Sequence, residues 1–213
     1  MKPFIVTATD TDVGKTVVSA MLTLALDGIY WKPIQAGTEG GTDQMRVAEL
    51  TGLSESHFRP ERYVLRNPLS PHRAAELDGV EISLSELSLP PDIPDDRRLI
   101  IEGAGGVLVP LNRGLLQIEL FAHWQAPVIL CARTMLGTIN HTLLSLEALL
   151  ERDIPVLGII FVGDAMPDSE RTIVEFGGVR KLGRLPFIEP LDRATLRAAF
   201  DEHFDRRDFE TCP

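Results

Sequence analysis

The sequence is poor in cysteine and in basic charge, and it lacks long hydrophobic runs. Only two cysteines occur, Cys131 and Cys212, too few for a disulfide framework and without metal-ligand spacing. Lys and Arg number 21 against 31 Asp and Glu, a net charge of −10 that argues against a nucleic-acid partner. No apolar run is long enough to cross a membrane or to form a signal peptide. We therefore expect a cytoplasmic protein with neither nucleic acid nor membrane as partner.

The most informative segment that is present runs over residues 8–16, ATDTDVGKT. It follows a short apolar run and precedes a helix-like run, which is the layout of a phosphate-binding loop. Lys15 would reach the terminal phosphates of a nucleoside triphosphate, and the Thr16 hydroxyl would bind Mg²⁺. The usual leading glycine is missing, since Ala8 and Thr9 stand at the two possible positions. Alanine tolerates positive φ poorly, so the backbone there is either ordinary or strained.

Short apolar runs alternate with helix-like segments along the chain, which predicts a doubly wound, mostly parallel α/β sheet flanked by helices, of the P-loop NTPase type. A length of 213 residues suits a single domain over 1–213, with a polar tail at 206–213 that we expect to be frayed. Predicted strands cover residues 3–7, 29–32, 99–102, 127–132, 156–162 and 181–185. Predicted helices cover residues 14–26, 43–52, 115–124, 140–152, 167–176 and 191–204.

Three further residues stand where such a sheet binds its ligand, beyond the carboxyl ends of the strands. Glu102 ends an apolar strand and precedes a glycine-rich turn, which suits Mg²⁺ coordination beside a phosphate loop. Asp43 begins a helix, and it is either a helix cap or a second carboxylate ligand. Lys32 ends a buried strand and could neutralise a developing anion. His72, after Ser70 and Pro71, more simply marks the start of a helix.

Taken together, these motifs resemble the dethiobiotin synthetase family. The resemblance runs from Phe4 to about Pro186. The shared segments occur in the family's order and spacing, and they are TDTDVGKT (9–16), KPIQ (32–35), the region of Asp43, SPH (70–72), EGAGG (102–106) and GTINH (137–141). The resemblance implies an enzyme that closes the ureido ring of dethiobiotin from 7,8-diaminopelargonate, CO₂ or bicarbonate, and ATP with Mg²⁺. The reaction would pass through a carbamate and a carbamic–phosphoric anhydride, and it would release ADP and phosphate.

The resemblance also implies a role for particular residues. Lys15, Lys32 and Thr11 would act in catalysis, and Thr16, Asp43 and Glu102 would hold the metal. The nucleotide would lie against Asp12, Val13, Gly14, Lys15, Thr16, Val17, Asp43, Glu102, Gly103, Ala104, Gly105, Gly163, Asp164 and Pro186. The diamine would lie against Thr11, Lys32 and Ala36, and at the interface of a homodimer its carboxylate would meet Gly137, Thr138 and Asn140 of the other subunit.

Three positions depart from the family pattern. Ala8 replaces the leading loop glycine, and Ala36 replaces a hydroxyl residue whose hydrogen bond would be worth about 1 kcal/mol. Gly163 and Asp164 stand where an asparagine often reads the nucleotide base, so the base preference is left open.

Two other interpretations share the loop layout. A nucleotide switch of the ParA or MinD type would carry an extra signature lysine early in the loop, where this chain has Asp10, an opposite charge. A nucleotide-binding paralogue without catalysis would explain the departures at Ala8, Ala36 and Gly163.

Overall fold

The structure, a computed structural model, describes residues 3–210 and is built around a seven-stranded parallel sheet in the order β11-β10-β9-β1-β6-β2-β4. Its strands are β1 (Phe4–Ala8), β2 (Ile29–Trp31), β4 (Phe58–Arg59), β6 (Leu99–Gly106), β9 (Val128–Arg133), β10 (Val156–Val162) and β11 (Lys181–Leu185). Every neighbouring pair in this sheet is parallel, which confirms the predicted α/β class. Parallel strands need crossover connections, and helices provide them here.

Helices cover both faces of the sheet. They are α1 (Lys15–Ala25), α2 (Asp43–Thr51), α3 (Pro71–Asp78), α4 (Gln117–Trp124), α5 (Thr138–Leu150), α6 (Pro167–Gly177), α7 (Arg193–His203) and α8 (Arg207–Glu210). One buried cluster joins α1, α2 and α7 to one face of the sheet, and a second joins α4, α5 and α6 to the other. Burial on both faces explains why strands such as β10 are almost continuously apolar.

The register of the central strands brings distant residues to one place. Tyr30 pairs with Ile100 in the parallel ladder between β2 and β6. Side chains two residues apart share a face of a strand, so Lys32 and Glu102 lie on the same face as this pair. On the other side of β6, Val6 of β1 pairs with Glu102. The phosphate-binding loop after β1 therefore lies next to Glu102.

The structure differs from the predicted boundaries near Glu102. The predicted strand ended at Glu102, but β6 continues to Gly106 because Gly106 pairs with Ala8 across an irregularity in the ladder. The helix predicted over 140–152 starts at Thr138 instead. The expected helix start around His72 is confirmed, with Ser70 as the N-cap and Pro71 as the first residue of α3.

Several short strands were not predicted at all. β3 (Ile34–Ala36) pairs with β5 (Tyr63–Leu65), and β7 (Pro110–Asn112) forms an antiparallel pair with β8 (Leu115–Leu116). The edge strand β4 has only two residues. Segments of two or three residues are too short to show a period of two, so the sequence pattern gives no signal for them.

The C-terminal segment corrects another expectation. The tail was predicted to fray from residue 206, yet Arg207–Glu210 forms a short helix and Phe209 is 1% exposed. The Phe209 ring packs against Phe4 and Phe200, and Arg180 forms an ion pair with Asp208. The polar residues of this segment led to the prediction of a frayed tail. The buried side chain of Phe209 instead packs the segment against the rest of the fold. Residues 211–213, including Cys212, lie outside the described residues.

Within residues 3–210, no helix is both long and apolar enough to cross a bilayer.

Candidate active site

The phosphate-binding loop occupies residues 9–14 between β1 and α1. Ala8 is fully buried in β1, and its φ is not positive, so of the two alternatives for this position the ordinary backbone is correct. The loop turns instead at Asp12, with φ of 54°, and at Gly14, with φ of 105°. A Cβ atom at Gly14 would lie 3.1 Å from Val162, so this glycine also permits close approach to β10.

Lys15 begins α1 and is 7% exposed. Its Nζ donates a hydrogen bond to the carbonyl oxygen of Asp10, at 3.1 Å, so the side chain folds back over its own loop. Burial lowers the pKa of Lys15, and the nearby Glu102 carboxylate opposes that effect. The ammonium group thus lies over the loop that leads into the start of α1, an arrangement that attracts phosphate.

Lys32 lies between two carboxylates that come from different elements. Its Nζ is 3.0 Å from Glu102 Oε1 and also forms an ion pair with Asp43. Burial opposes the charge of Lys32, but Glu102 and Asp43 together raise its pKa above the ordinary value. The site therefore contains a buried ammonium group whose charged form the two carboxylates favour.

Thr16 connects the same two carboxylates to the phosphate-binding loop. Its Oγ1 is 2.9 Å from Glu102 Oε1 and 3.3 Å from Asp43 Oδ1. A hydroxyl and two carboxylates are hard oxygen donors of the kind Mg²⁺ prefers when phosphate and water complete its coordination. Residues 3–210 contain no group of three or more His, Cys, Asp or Glu side chains that could hold a metal ion. The fit to Mg²⁺ rests on the oxygen chemistry of Thr16, Asp43 and Glu102.

The structure decides between the two roles considered for Asp43. The N-cap of α2 is Thr42, whose Oγ1 accepts a hydrogen bond from Met45 N. Asp43 is the first residue of the helix, and its carboxylate is directed to Lys32 and Thr16. The Gln35 side chain, 5% exposed, accepts a hydrogen bond from Asp43 N at 3.1 Å and donates one to Gly37 O at 2.9 Å. Gln35 thereby fixes the loop that presents Asp43.

Sequence reasoning missed several residues that support this site. The Tyr30 hydroxyl donates to Glu102 Oε2 at 3.0 Å, and burial, with the Glu102 charge, raises the pKa of Tyr30 so that it stays protonated. Gln117, 2% exposed, accepts from Ala104 N and donates to Gly106 O. Arg133 donates to the Thr11 carbonyl. Of these contacts, only the one made by Tyr30 has a signal in the sequence. A tyrosine in a buried strand needs a hydrogen-bond partner for its hydroxyl.

A cleft of about 850 Å³ opens over these groups. Predicted site residues that line it are Thr11, Asp12, Gly14, Lys15, Thr16, Lys32, Ala36, Asp43, Glu102, Ala104 and Gly105. A second cleft of about 490 Å³ shares Thr11 and Val109 with the first and extends to His141 on α5. His141 is exposed at this second cleft.

Other predicted site residues lie outside the main cleft. Val13 and Gly103 are buried, and Val17 packs at the edge of the core that contains α1. Gly163 and Pro186 lie side by side at the ends of β10 and β11, because Gly163 N donates to Leu185 O at 2.9 Å. Asp164 follows Gly163 and is exposed.

The residues expected to meet a substrate carboxylate lie at the start of α5. Gly137 is the N-cap, with φ of 94°, and Asn140 is exposed. Thr138 is less available to a substrate than Asn140. Its N–H donates to Met135 O and its hydroxyl donates to Arg133 O. The hydrogen-bond donors of Thr138 are thus engaged inside the protein, which favours a structural role for its side chain.

The fold and the site define a P-loop nucleotide-binding protein: a parallel sheet, a phosphate-binding loop after its central strand, and paired carboxylates next to the loop. Solved structures agree on the fold. The chain is similar to a ParA family ATPase from Chlorobium tepidum (TM-score 0.51, 12% identity, covering 94% of this chain and 92% of that one). It is also similar to the cell division ATPase MinD of Pyrococcus furiosus (TM-score 0.56, 13% identity, 95% and 98%).

Sequence comparison then specifies the family. An AAA domain model matches residues 2–195. The ATP-dependent dethiobiotin synthetase BioD of Afipia carboxidovorans is 56% identical over 96% of this chain and 97% of its own length. The corresponding synthetase of Rhizorhabdus wittichii is 56% identical over 98% of each chain. The chain therefore belongs to the ATP-dependent dethiobiotin synthetases, a family of enzymes, and its likeness to ParA and MinD is one of fold.

Proposed function

We propose that this enzyme binds 7,8-diaminopelargonate, CO₂ and a nucleoside triphosphate in the main cleft and closes the ureido ring of dethiobiotin. One observation carries the proposal: the buried, charged Lys32 lies beside the phosphate-binding loop and between Asp43 and Glu102. A cation at that point can stabilise negative charge on two reacting groups at once, the transferring phosphoryl group and the carbamate that attacks it.

The nucleotide's phosphates would bind the loop N–H groups and Lys15. Thr16, Asp43 and Glu102 would hold Mg²⁺, which neutralises phosphate charge when it is bound. Lys32 would then exchange its present carboxylate partners for oxygens of the substrates. Thr16 and Lys32 contact the same oxygen of Glu102, so Lys32 lies next to the residues that would hold Mg²⁺.

The chemistry that we propose takes two steps after carbamate formation. A carbamate oxygen attacks the γ-phosphorus, and the bond from that phosphorus to the bridging oxygen breaks, so that ADP leaves and a carbamic–phosphoric anhydride forms. The second amine then attacks the carbonyl carbon, loses a proton and expels phosphate. Lys15 and Lys32 stabilise the charge that develops on the phosphoryl oxygens. Thr11 lines the cleft where the amines would lie.

We further propose a homodimer in which the start of α5 completes the substrate site of the other subunit. The second cleft supports this, because it joins the main cleft at Thr11 and reaches α5. Leu108 and Leu144 line this cleft and are 50% and 55% exposed. Met135 and Leu136, which precede α5, are more exposed still. The N-terminus of α5, at Gly137, would receive the carboxylate of the diamine.

A direct assay tests the reaction. The protein is incubated with the diamine, bicarbonate, Mg²⁺ and each of the common nucleoside triphosphates in turn, and dethiobiotin is measured by mass spectrometry. The panel is needed because Gly163 stands where the family's base-reading asparagine is expected. We expect product and an equal amount of nucleoside diphosphate with at least one nucleotide. Absence of product with every nucleotide, from a protein that still binds nucleotide, would contradict the proposed function and favour a non-catalytic paralogue.

A further inference from the structure

Glu102 uses its two carboxylate oxygens differently. Oε1 faces the cleft and meets Thr16 Oγ1 at 2.9 Å and Lys32 Nζ at 3.0 Å. Oε2 is directed away from these groups and accepts the Tyr30 hydroxyl at 3.0 Å. Glu102 is 1% exposed and Tyr30 is fully buried, so bulk water cannot replace that hydrogen bond.

Tyr30 itself has little freedom to move. It belongs to β2, its ring packs edge-on against Phe58 with centroids 6.2 Å apart, and its backbone is paired with both β6 and β4. The hydroxyl is therefore presented to Glu102 from a rigid element. A donor held in this way fixes the rotation of a carboxylate more strictly than a flexible donor would.

We propose that Tyr30 is the positioning residue that orients Glu102 for Mg²⁺, and that it works by occupying Oε2 so that Oε1 stays directed at the cleft. The inference rests on the proposed role of Glu102 as a metal ligand. Without the hydroxyl, Oε2 would be a buried carboxylate oxygen without a donor, which is costly. Rotation of the carboxylate toward Thr16 or Lys32 would relieve that cost and would move Oε1 out of position. Groups that orient metal ligands commonly affect metal affinity about 10- to 100-fold.

The test compares Tyr30→Phe with wild type and with the matched variant Tyr63→Phe. Tyr63 is also a buried strand tyrosine with a hydrogen-bonded hydroxyl, but its partner is Ser83 N and it lies outside the cleft. Binding of a fluorescent nucleoside triphosphate is titrated with Mg²⁺ and with EDTA, without the diamine, so the readout does not depend on turnover. Thermal unfolding of each variant is recorded in parallel.

We expect Tyr30→Phe to weaken the apparent Mg²⁺ affinity of the nucleotide complex about tenfold, while nucleotide affinity in EDTA changes less than about twofold. Tyr63→Phe should leave both affinities unchanged. Under turnover, Tyr30→Phe should need more Mg²⁺ for half-maximal rate, with the KM for the diamine unaltered.

Three outcomes would overturn specific statements. Equal Mg²⁺ dependence in Tyr30→Phe and wild type would refute the inference and leave the proposed function standing. Loss of nucleotide binding in EDTA as well would show that Tyr30 only supports the fold. Wild-type binding that does not respond to Mg²⁺ would contradict the metal site itself, and with it that part of the proposed function.

Discussion

Lys32 owes its charge to partners that the fold supplies. A lysine with its side chain 6% exposed would lose its proton readily if it were alone, yet the two carboxylates raise its pKa. Lys15 shows the opposite balance, because burial outweighs Glu102 and lowers its pKa. Two lysines in one cleft therefore hold their protons with different strength, and Lys32 is the better candidate for a fixed positive charge.

Replacing Lys32 with alanine should separate chemistry from nucleotide binding. We expect Lys32→Ala to reduce kcat at least about a hundredfold, because the cation at the reacting groups is lost. Nucleotide should still bind through the loop and Lys15. Lys181→Ala is the matched control, since Lys181 is paired with Glu170 outside the main cleft and should keep full turnover. Steady-state kinetics and nucleotide titration check both variants, and normal turnover in Lys32→Ala would mean that the lysine has another role.

Gly163 illustrates a residue whose replacement is limited by the backbone. Its φ is 121°, and a Cβ atom there would lie 2.6 Å from Thr134 Oγ1. An asparagine at this position therefore requires the Thr134 side chain or the end of β10 to shift, in addition to the strain of the positive φ.

We expect Gly163→Asn to lower the free energy of unfolding by about 1–3 kcal/mol, from backbone strain and the close contact together. Gly178→Asn provides the comparison, because Gly178 has φ of 61°, which asparagine tolerates, and no atom within 4 Å of its Cβ position. Denaturant unfolding measures both. Equal stability of the two variants would show that the end of β10 adapts to a side chain.

Among the elements, the short C-terminal helix α8 contributes more than its length suggests. Phe209 packs on Phe4 of β1 and Phe200 of α7, and Arg180 binds Asp208. The aromatic contact therefore joins the end of the chain to its first strand, the strand that leads into the phosphate-binding loop.

Truncation of Phe209 tests whether this helix belongs to the cooperative fold. Phe209→Ala should reduce the free energy of unfolding by about 3–5 kcal/mol, the usual range for a buried phenylalanine. Phe176→Ala, at a side chain that is 79% exposed, should change it by less than about 0.5 kcal/mol. Chemical denaturation followed by circular dichroism measures the free energy of unfolding of both variants. A small change in Phe209→Ala would contradict this expectation and support a frayed tail.

At the scale of the whole molecule, the site depends on where distant segments meet. The loop after β1, the residue after β2, the first residue of α2 and the middle of β6 all reach one cleft. The exposed apolar side chains at the second cleft and before α5, which are Leu108, Leu144, Met135 and Leu136, form the surface on which the proposed dimer depends.

A charged residue introduced on that apolar surface tests whether it forms the dimer interface. Leu136 is fully exposed in the single chain, and Leu136→Asp should shift sedimentation from dimer to monomer and raise the KM for the diamine. Leu150→Asp, at the other end of α5, should leave both unchanged. A monomeric wild type would contradict the dimer, whereas a dimeric Leu136→Asp would show that the interface lies elsewhere.

The sequence by itself determined the fold class, the phosphate-binding loop, six of the helices and the longer strands. It also identified Lys32, Asp43 and Glu102 as candidates, because all of these depend on local order and periodicity. Only the tertiary structure decided that Tyr30 bonds Glu102, 72 residues away, and that Thr16 meets Glu102 across 86 residues. It also decided that α8 is ordered. Such contacts depend on which strands are neighbours in the sheet and on the register in which they pair. The spacing of residues along the chain does not specify the order or the register of the strands.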